Sequence, residues 1–227
     1  MEKTENHERI AVARQRGQVY GLLATVYRQE PSPELLKEIK SPDHLEVLSD
    51  LGVQLKEDFL KSSDEEVLES LAVEFARLFL GPGKHISPHE SVHHKRDDGD
   101  WGQLWGASTV EVKRFIETTG LSYDDAYKGM PDHISVELEF MQQVTQHEEQ
   151  AWAEDDKDAA IYCQKIENKF IEDHLVKWIP DFCDKVAREA ELPFYRDMAA
   201  LTKNFIEFEK EEVTRLKSEF MEDVSSD

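Results

Sequence analysis

Apolar residues recur at intervals of three and four along almost the whole chain, which is the spacing of amphipathic α-helices. One such series begins near the N-terminus and contains Ile10, Ala13, Gly17, Tyr20, Leu23, Ala24 and Tyr27. No segment alternates apolar and polar residues for long enough to predict a β-strand. The pattern therefore predicts an all-α fold of about nine or ten helices.

Capping and helix-breaking residues divide this pattern into separate helices. Ser63-x-x-Glu66 is a capping box, and Gly81-Pro82 ends the helix that it opens. Ser108-x-x-Glu111 predicts the start of another helix in the same way. Further along the chain, Pro180 predicts the end of a helix.

The stretch from Gly81 to Trp105 interrupts the helical pattern and has neither a helical nor a strand period. Irregular connections longer than about 12–15 residues are uncommon in compact domains, and they are usually functional or disordered. Disordered segments tend to lack aromatic residues, whereas this stretch contains Trp101 and Trp105. We therefore expect an ordered loop that takes part in recognition.

This loop divides the chain into segments of one globular unit. The segments are an N-terminal helical part (1–80), a hinge and recognition loop (81–107), a C-terminal helical part (108–206) and a charged tail (207–227). The tail has only a thin apolar seam. It is expected to form either a last amphipathic helix or a frayed one.

The 227 residues include 49 acidic and 27 basic ones, which gives a formal net charge of −22. This charge argues against nucleic-acid binding, because affinity for phosphate depends on lysine and arginine, and it disfavours an anionic membrane surface. A cationic partner would instead be attracted. The polar N-terminus and the lack of a run of about 18 apolar residues predict a soluble, cytoplasmic protein without stable membrane insertion. Cys163 and Cys183 have no metal-binding spacing and are expected to be buried thiols.

Residues 89–93 read H-E-S-V-H, which resembles the zinc-binding pattern H-E-x-x-H. That pattern holds zinc on a long helix with one apolar side. Pro88 and the surrounding glycine and proline residues argue against such a helix here. A metal-dependent hydrolase that uses His89, Glu90 and His93 is therefore kept only as an alternative.

Pro131-Asp132-His133 opens a further predicted helix. Spacing alone favours a structural interpretation, in which Asp132 caps the helix and His133 is a surface residue of its first turn. In the functional interpretation, Asp132 and Glu137 supply carboxylates to a cationic group of a ligand. A third possibility for the whole protein is a structural helical adaptor whose acidic surface meets a folded partner.

Five short motifs follow one another along the chain. They are EFARLFLGP at 74–82, SPHESVH at 87–93, PDHI with ELEFM within 131–141, HLVKWIP at 174–180 and PFYR at 193–196. In this order they resemble the TorD family of cytoplasmic chaperones for molybdoenzyme maturation, which includes DmsD and NarJ. Each motif alone is weakly specific, whereas five in the right order are a strong signal. The resemblance extends roughly from Tyr20 to Phe205.

The resemblance implies an all-helical fold in which two helical parts meet at the hinge. It also implies a non-enzymatic function, namely binding of the twin-arginine leader of a molybdenum-containing oxidoreductase subunit, and sometimes of the apoenzyme. Export is thereby delayed until the cofactor is loaded. Some members of the family form homodimers by swapping helices, so monomer and dimer both stay open. Weak guanine-nucleotide binding is reported in the family, but this chain has no phosphate-binding motif, and we expect no metal or other cofactor.

A twin-arginine leader joins a cationic segment to an apolar one, so its receptor needs an acidic rim and an apolar groove. We expect Asp132 and Glu137 to bind the guanidinium groups. The neighbouring groove is expected to be lined by Leu78, Phe79, His89, Ser91, His93, Trp105 and His133. The family usually has aromatic residues where this chain has His89 and His93. Both assignments require the loop and the helix after Pro131 to face each other across one cleft.

Overall fold

A computed structural model describes residues 2–81, 84–94, 102–123 and 127–224. Within these ranges the backbone forms eleven α-helices and two π-helical segments, and it contains no β-strand. The α-helices are α1 (Glu2–Arg28), α2 (Pro33–Ile39), α3 (Pro42–Asp50), α4 (Glu57–Lys61), α5 (Asp64–Phe75), α6 (Glu90–His93), α7 (Ala107–Thr118), α8 (Ile134–Ala153), α9 (Lys157–Phe170), α10 (Val176–Glu189) and α11 (Pro193–Val224).

The two π-helical segments continue neighbouring α-helices without a break. Ala76–Leu80 extends α5, and Ile171–Leu175 joins α9 to α10. Counted as continuous helical segments, the described residues form ten. This confirms the predicted all-α fold of about nine or ten helices.

The two predicted caps have different outcomes. Ser63 and Glu66 form the predicted capping box at the start of α5, since each side chain bonds to the backbone N–H of the other residue. The cap predicted at Ser108 is wrong, because α7 already begins at Ala107 and Gly106 is its N-cap, without a side-chain hydrogen bond. Of the two predicted caps, only the one at Ser63 therefore marks the start of a helix.

Pro180 does not end a helix, contrary to the prediction. It lies inside α10, on the same continuous segment as α9. A proline in a helix interior costs about 3 kcal/mol. The same helix buries Trp178, Ile179 and Phe182, and each large apolar side chain contributes about 1.5–3 kcal/mol. Burial of this face therefore outweighs the broken backbone hydrogen bond.

The most extensive contact between two helices of the described part joins α1 to α8. Two glycines on α1 allow the close approach. A Cβ atom at Gly17 would lie 2.9 Å from Oγ1 of Thr145, and one at Gly21 would overlap the side chain of Gln142. The absence of side chains at these positions lets the two backbones pack directly against each other.

The main hydrophobic core receives side chains from both sides of the segment 81–107. Tyr20 and Leu71 precede that segment, whereas Met141 and Phe182 follow it. Cys163 and Cys183 are both buried free thiols, as predicted.

The helix α11 continues through most of the charged tail and buries Glu209 on the way. Among the described helices, none combines the length and the apolar character that crossing a membrane requires.

Candidate functional site

The segment 81–107, called the connector from here on, is bound to the start of α8. His89 and His133 form an isolated antiparallel β-bridge. The N–H of Glu90 donates to the carbonyl of Asp132, and the N–H of Ile134 donates to the carbonyl of Pro88, both at 2.9 Å. We call this unit, made of 88–91 and 132–134, the junction. Two motifs that are far apart in sequence are thus in direct contact.

Asp132 holds the connector rather than capping α8. Its side chain is fully buried, and its Oδ2 accepts the N–H of Ser91 at 2.9 Å. The N-cap of α8 is His133, whose Nδ1 accepts the N–H of Ser135. The structural interpretation of Asp132 as the cap of its own helix is therefore wrong. The carboxylate instead satisfies a free N–H in the first turn of α6.

His133 is the half-buried N-cap of α8 and, contrary to the prediction, not an exposed residue of its first turn. Its ring lies edge-on to His89, with 4.9 Å between the ring centroids. Burial, assisted by the positive charge that His89 and Arg28 can carry, lowers the pKa of His133 to about 3. The ring is therefore neutral near pH 7, which is consistent with an Nδ1 that accepts a hydrogen bond.

Glu90 points into the protein and connects the junction to the π-helical segment before α10. His94 Nε2 donates to its carboxylate at 2.8 Å and His174 Nδ1 at 3.0 Å. Burial alone would raise the pKa of Glu90, but the hydrogen bonds from His174 and His94 outweigh burial and lower it. Glu90 is therefore a buried carboxylate that keeps its charge because two imidazoles surround it.

The pKa of Glu137 is shifted in the opposite direction to that of Glu90. It is fully buried, and its Oε2 accepts the indole N–H of Trp178 at 3.0 Å. Burial and the nearby negative charge of Glu90 raise its pKa well above the ordinary value. Of two neighbouring buried carboxyl groups, the surroundings therefore favour the charged form of Glu90 and the protonated form of Glu137.

The predicted site residues therefore fall into two groups. Asp132, Glu137, Ser91, Leu78 and Phe79 are buried, the last two in the hydrophobic core. In this conformation none of these five offers surface to a ligand. Direct pairing of either carboxylate with an arginine would require the connector to move.

The remaining predicted residues lie closer to solvent. His93 is half-buried, donates from Nε2 to the carbonyl of Ser87 at 2.8 Å and packs its ring against Trp178. His89 is half-buried and hydrogen-bonds to the Ser87 hydroxyl. Trp105 is 69% exposed. Trp101, at the same end of the loop, lies outside the described residues.

The H-E-x-x-H pattern does not lie on one helical face. His89 has an extended backbone, and α6 begins only at Glu90. Because Glu90 points inward to His174, the three side chains do not converge. Among the described residues, no group of three or more histidine, cysteine or acidic side chains is placed to hold a metal ion.

Trp105 stands out by its backbone as well as by its exposure. Its φ is 65°, in the left-handed region that a bulky residue rarely adopts. The next residue, Gly106, packs against Ser91, and a Cβ atom there would lie 3.2 Å from the Ser91 Cβ. The exposed pair Leu104 and Trp105 is therefore held beside the junction. Such strain costs about 1–3 kcal/mol and is concentrated at binding and switch sites.

A hollow of about 630 Å³ adjoins the start of α8, and the sequence analysis did not predict it. It is lined by Arg28, Gln29, Ile116, Leu121, Ser122, Tyr123, Tyr127, Ser135, Val136, Glu139, Phe140 and Gln143. Glu139 and Phe140 belong to the ELEFM motif of the sequence analysis, and Glu139 is the charged residue of the two. The other lining residues come from four separate stretches that no local pattern connects.

The hollow is lined by aromatic rings and by one ion pair. The rings of Tyr123 and Tyr127 are stacked, with 6.1 Å between their centroids. Arg28 and Glu139, both about half-exposed, form an ion pair at 2.6 Å. Burial raises the pKa of Tyr127 to about 12, and the negative charges of Asp132 and Glu139 contribute to this rise. The negative charge of the buried Asp132 therefore contributes to the electrostatic potential at Tyr127.

Comparisons with known proteins agree over most of the chain. The family model described as Nitrate reductase delta subunit matches residues 49–184. The Chaperone protein TorD of Photobacterium profundum is 28% identical over 200 residues, which cover 83% of this chain and 89% of that protein. The Chaperone protein TorD of Shewanella pealeana is 23% identical over 223 residues, covering 92% and 94%.

A solved structure has the same fold. It is a chain from Archaeoglobus fulgidus described as a candidate redox enzyme maturation protein, and it superimposes with a TM-score of 0.52 at 21% identity. The match covers 85% of this chain and 93% of that chain. At this identity the likeness supports the all-helical fold alone.

Proposed function

We propose a function on the premise that this chain belongs to the Nitrate reductase delta subunit family, which includes the TorD chaperones. The protein is a molybdoenzyme maturation chaperone that binds the twin-arginine leader of its client. Binding takes place in the cytoplasm and delays export until the molybdenum cofactor is loaded. The apoenzyme of the catalytic subunit is bound as well. The chaperone carries out no catalytic turnover of its own.

The observation that carries this proposal is the exposed pair Leu104 and Trp105, held beside the junction in a strained backbone. An exposed tryptophan next to a leucine is a typical anchor for an apolar peptide segment. The net charge of −22 attracts the cationic end of the same peptide. An apolar anchor on an acidic protein suits a ligand that is cationic at one end and apolar at the other.

The arginines of the leader are assigned to the hollow beside the junction. Glu139 is the accessible carboxylate there, and an incoming guanidinium can replace Arg28 as its partner. The stacked rings of Tyr123 and Tyr127 offer aromatic faces on which a guanidinium can lie. The negative charge of Asp132 also acts on Tyr127 in the hollow, although Asp132 is buried and does not line it.

The spacing of the two subsites fits a peptide. Trp105 precedes α7, and Ile116 near the end of α7 lines the hollow. The path along α7 between them is about 16 Å at about 1.5 Å per residue. An extended peptide covers this distance with about five residues at about 3.3 Å each. A leader can therefore place its arginines in the hollow and the beginning of its apolar stretch on Trp105.

Calorimetric titration with a synthetic peptide that carries two adjacent arginines before an apolar stretch tests this function. We expect the affinity to fall when the ionic strength rises from about 0.05 M to about 0.5 M, because the Debye length shortens. Trp105→Ala should weaken binding about tenfold. Since the side chain is exposed and alanine is strained at the same positive φ, the free energy of unfolding should change by less than about 1 kcal/mol.

The matched control is Tyr162→Ala, which removes an exposed aromatic side chain from α9. This variant should bind the peptide like the unaltered protein. Equal affinity of the Trp105→Ala variant would remove Leu104–Trp105 from the site. Co-purification of an intact partner that does not depend on its leader would instead favour the adaptor function.

Glu139→Gln tests the arginine subsite separately. We expect a loss of about fivefold in affinity for the paired-arginine peptide, and no change for the same peptide with citrulline in place of arginine. Glu117→Gln is the control, because Glu117 is likewise a half-exposed glutamate in a surface ion pair, with Lys113. A loss of affinity that is equal for both peptides would contradict the assignment.

A further inference from the structure

A second and larger groove, of about 1120 Å³, lies between α1, α8, α9 and α11. No residue of the junction or of the hollow beside it lines this groove. Apolar side chains stand at its mouth with much of their surface exposed, namely Val12, Ile161 and Phe208. We call it the α1–α11 groove. Its position and lining separate it from the site proposed for the leader.

The floor of the α1–α11 groove contains more negative than positive charge. Arg16 pairs with Glu148 at 3.1 Å, with Glu167 at 2.7 Å and with Glu209 at 2.6 Å. All three carboxyl groups are buried. One guanidinium therefore faces three carboxyl groups, and the lining adds Glu8 and Glu212 against Arg9.

Within the described residues, one oxygen of this floor lacks a hydrogen-bond partner. Glu148 accepts further hydrogen bonds from Trp152 and Gln164, and Glu209 accepts one from Tyr20. Glu167 is 1% exposed, and its Oε1 has no hydrogen-bond donor within the described part of the chain. An unsatisfied buried acceptor costs about 1–3 kcal/mol, so the floor is incomplete on its own.

The missing hydrogen-bond donor beside Glu167 is accompanied by a raised pKa of its carboxyl group. Burial raises its pKa to about 8, even though the charge of Arg16 opposes the rise. A further cation beside Oε1 would complete the pairing. Because apolar side chains such as Val12, Ile161 and Phe208 also line the groove, a molecule that carries this cation between apolar groups suits it.

We propose that the α1–α11 groove binds a peptide segment in which a single basic side chain is flanked by apolar residues. The basic group pairs with Oε1 of Glu167 once the side chains that cover this buried atom move aside, and the apolar flanks lie on Val12, Ile161 and Phe208. The surplus of carboxylates in the floor and at the rim provides the charge complementarity. This site goes beyond leader binding at the junction, and it needs no paired arginines.

The test uses two synthetic peptides of about 14 residues, or about four helical turns. Both are built from leucine and alanine with capped termini, one with a central arginine and the other with citrulline there. In calorimetric titrations the arginine peptide should bind about tenfold more tightly. Glu167→Gln should reduce this preference to less than about twofold and leave binding of the citrulline peptide unchanged.

Two further variants control the experiment. Asp158→Asn removes one negative charge from an exposed position on the same helix, and it should retain the preference for arginine. Phe208→Ala alters a side chain that is 53% exposed, so the protein stays folded. This variant should weaken both peptides by similar factors.

Three results would overturn the proposal. The first is equal affinity of the unaltered protein for both peptides. The second is a preference for arginine that survives in Glu167→Gln. The third is a concentration-dependent dimer that Phe208→Glu converts to a monomer, since a second copy of the chain would then occupy the groove. None of these results bears on binding of the paired-arginine peptide to the hollow and Trp105, so the two proposals fail independently.

Discussion

Replacing Arg16 by methionine is expected to lower the free energy of unfolding by about 3–5 kcal/mol, the usual effect of removing one partner from a buried ion pair. Methionine fills much of the same volume, so the loss reports the charge. Glu148, Glu167 and Glu209 would remain buried without their shared counterion. Thermal and urea unfolding at pH 7 measure the effect.

The size of this loss should depend on pH. The pKa of Glu167 in the folded state is about 8, whereas an unfolded glutamate has a pKa of about 4.3. The folded state therefore holds the extra proton, and its stability falls as the pH rises from about 4.3 to about 8. In Arg16→Met, no guanidinium pairs with the negative charge that Glu167 gains as the pH rises through its pKa. The variant should be closest to the unaltered protein at pH 5 and most destabilised at pH 8.

Arg14→Met is the matched control for this experiment. Arg14 lies on the same helix and pairs with Glu149 at 2.8 Å, but 60% of its side chain is exposed. Exposed pairs contribute about 0–1 kcal/mol, so the control should unfold almost like the unaltered protein at every pH. A loss in Arg16→Met that is small, or equal at pH 5 and pH 8, would contradict the charge argument.

The fold could be predicted from the sequence because its signals are local. An apolar residue every three or four positions determines a helix whatever it packs against. The capping box at Ser63 involves a residue only three positions away, and it was predicted correctly. Pro180 was misread because burial of the face around Trp178 outweighs the local preference of proline.

The site could be predicted only in part, because its decisive contacts are long-range. The family motifs pointed to the connector and to the start of α8, which are in contact. However, Asp132 reads as a cap in its own helix, whereas its partner Ser91 lies 41 residues away. Glu90 reads as part of a zinc pattern, whereas its partner His174 lies 84 residues away. No local period reports such pairs.

The network around Arg16 gave no signal in the sequence at all. Its partners Glu148 and Glu209 lie 132 and 193 residues further along the chain. Acidic residues make up 49 of the 227 positions, so a single glutamate carries little information. Only the close packing of α1 on α8 and the course of α11 bring these groups together. The structure was therefore required to find the α1–α11 groove.

Replacing Asp132 by alanine is expected to release the connector from α8. The N–H of Ser91 would lose its charged acceptor in a buried position, which costs about 2–3 kcal/mol of the free energy of unfolding. Hydrogen exchange should locate the change. The amides of Glu90, Ser91 and Ile134, which bond across the junction, should exchange faster, while those of α11 near Thr202 should be less affected.

Asp132→Asn separates the charge of this residue from its hydrogen bond. The amide oxygen can still accept the N–H of Ser91, so the free energy of unfolding should fall by less than about 1 kcal/mol. The negative charge that acts on Tyr127 in the hollow is lost, however. We therefore expect affinity for the paired-arginine peptide to fall about twofold, less than in Glu139→Gln, because Asp132 acts on the hollow only from a distance. Asp132→Ala should bind still more weakly, since its connector is also released. Unchanged affinity of Asp132→Asn would show that Asp132 is a positioning residue of the connector and has no part in binding arginine.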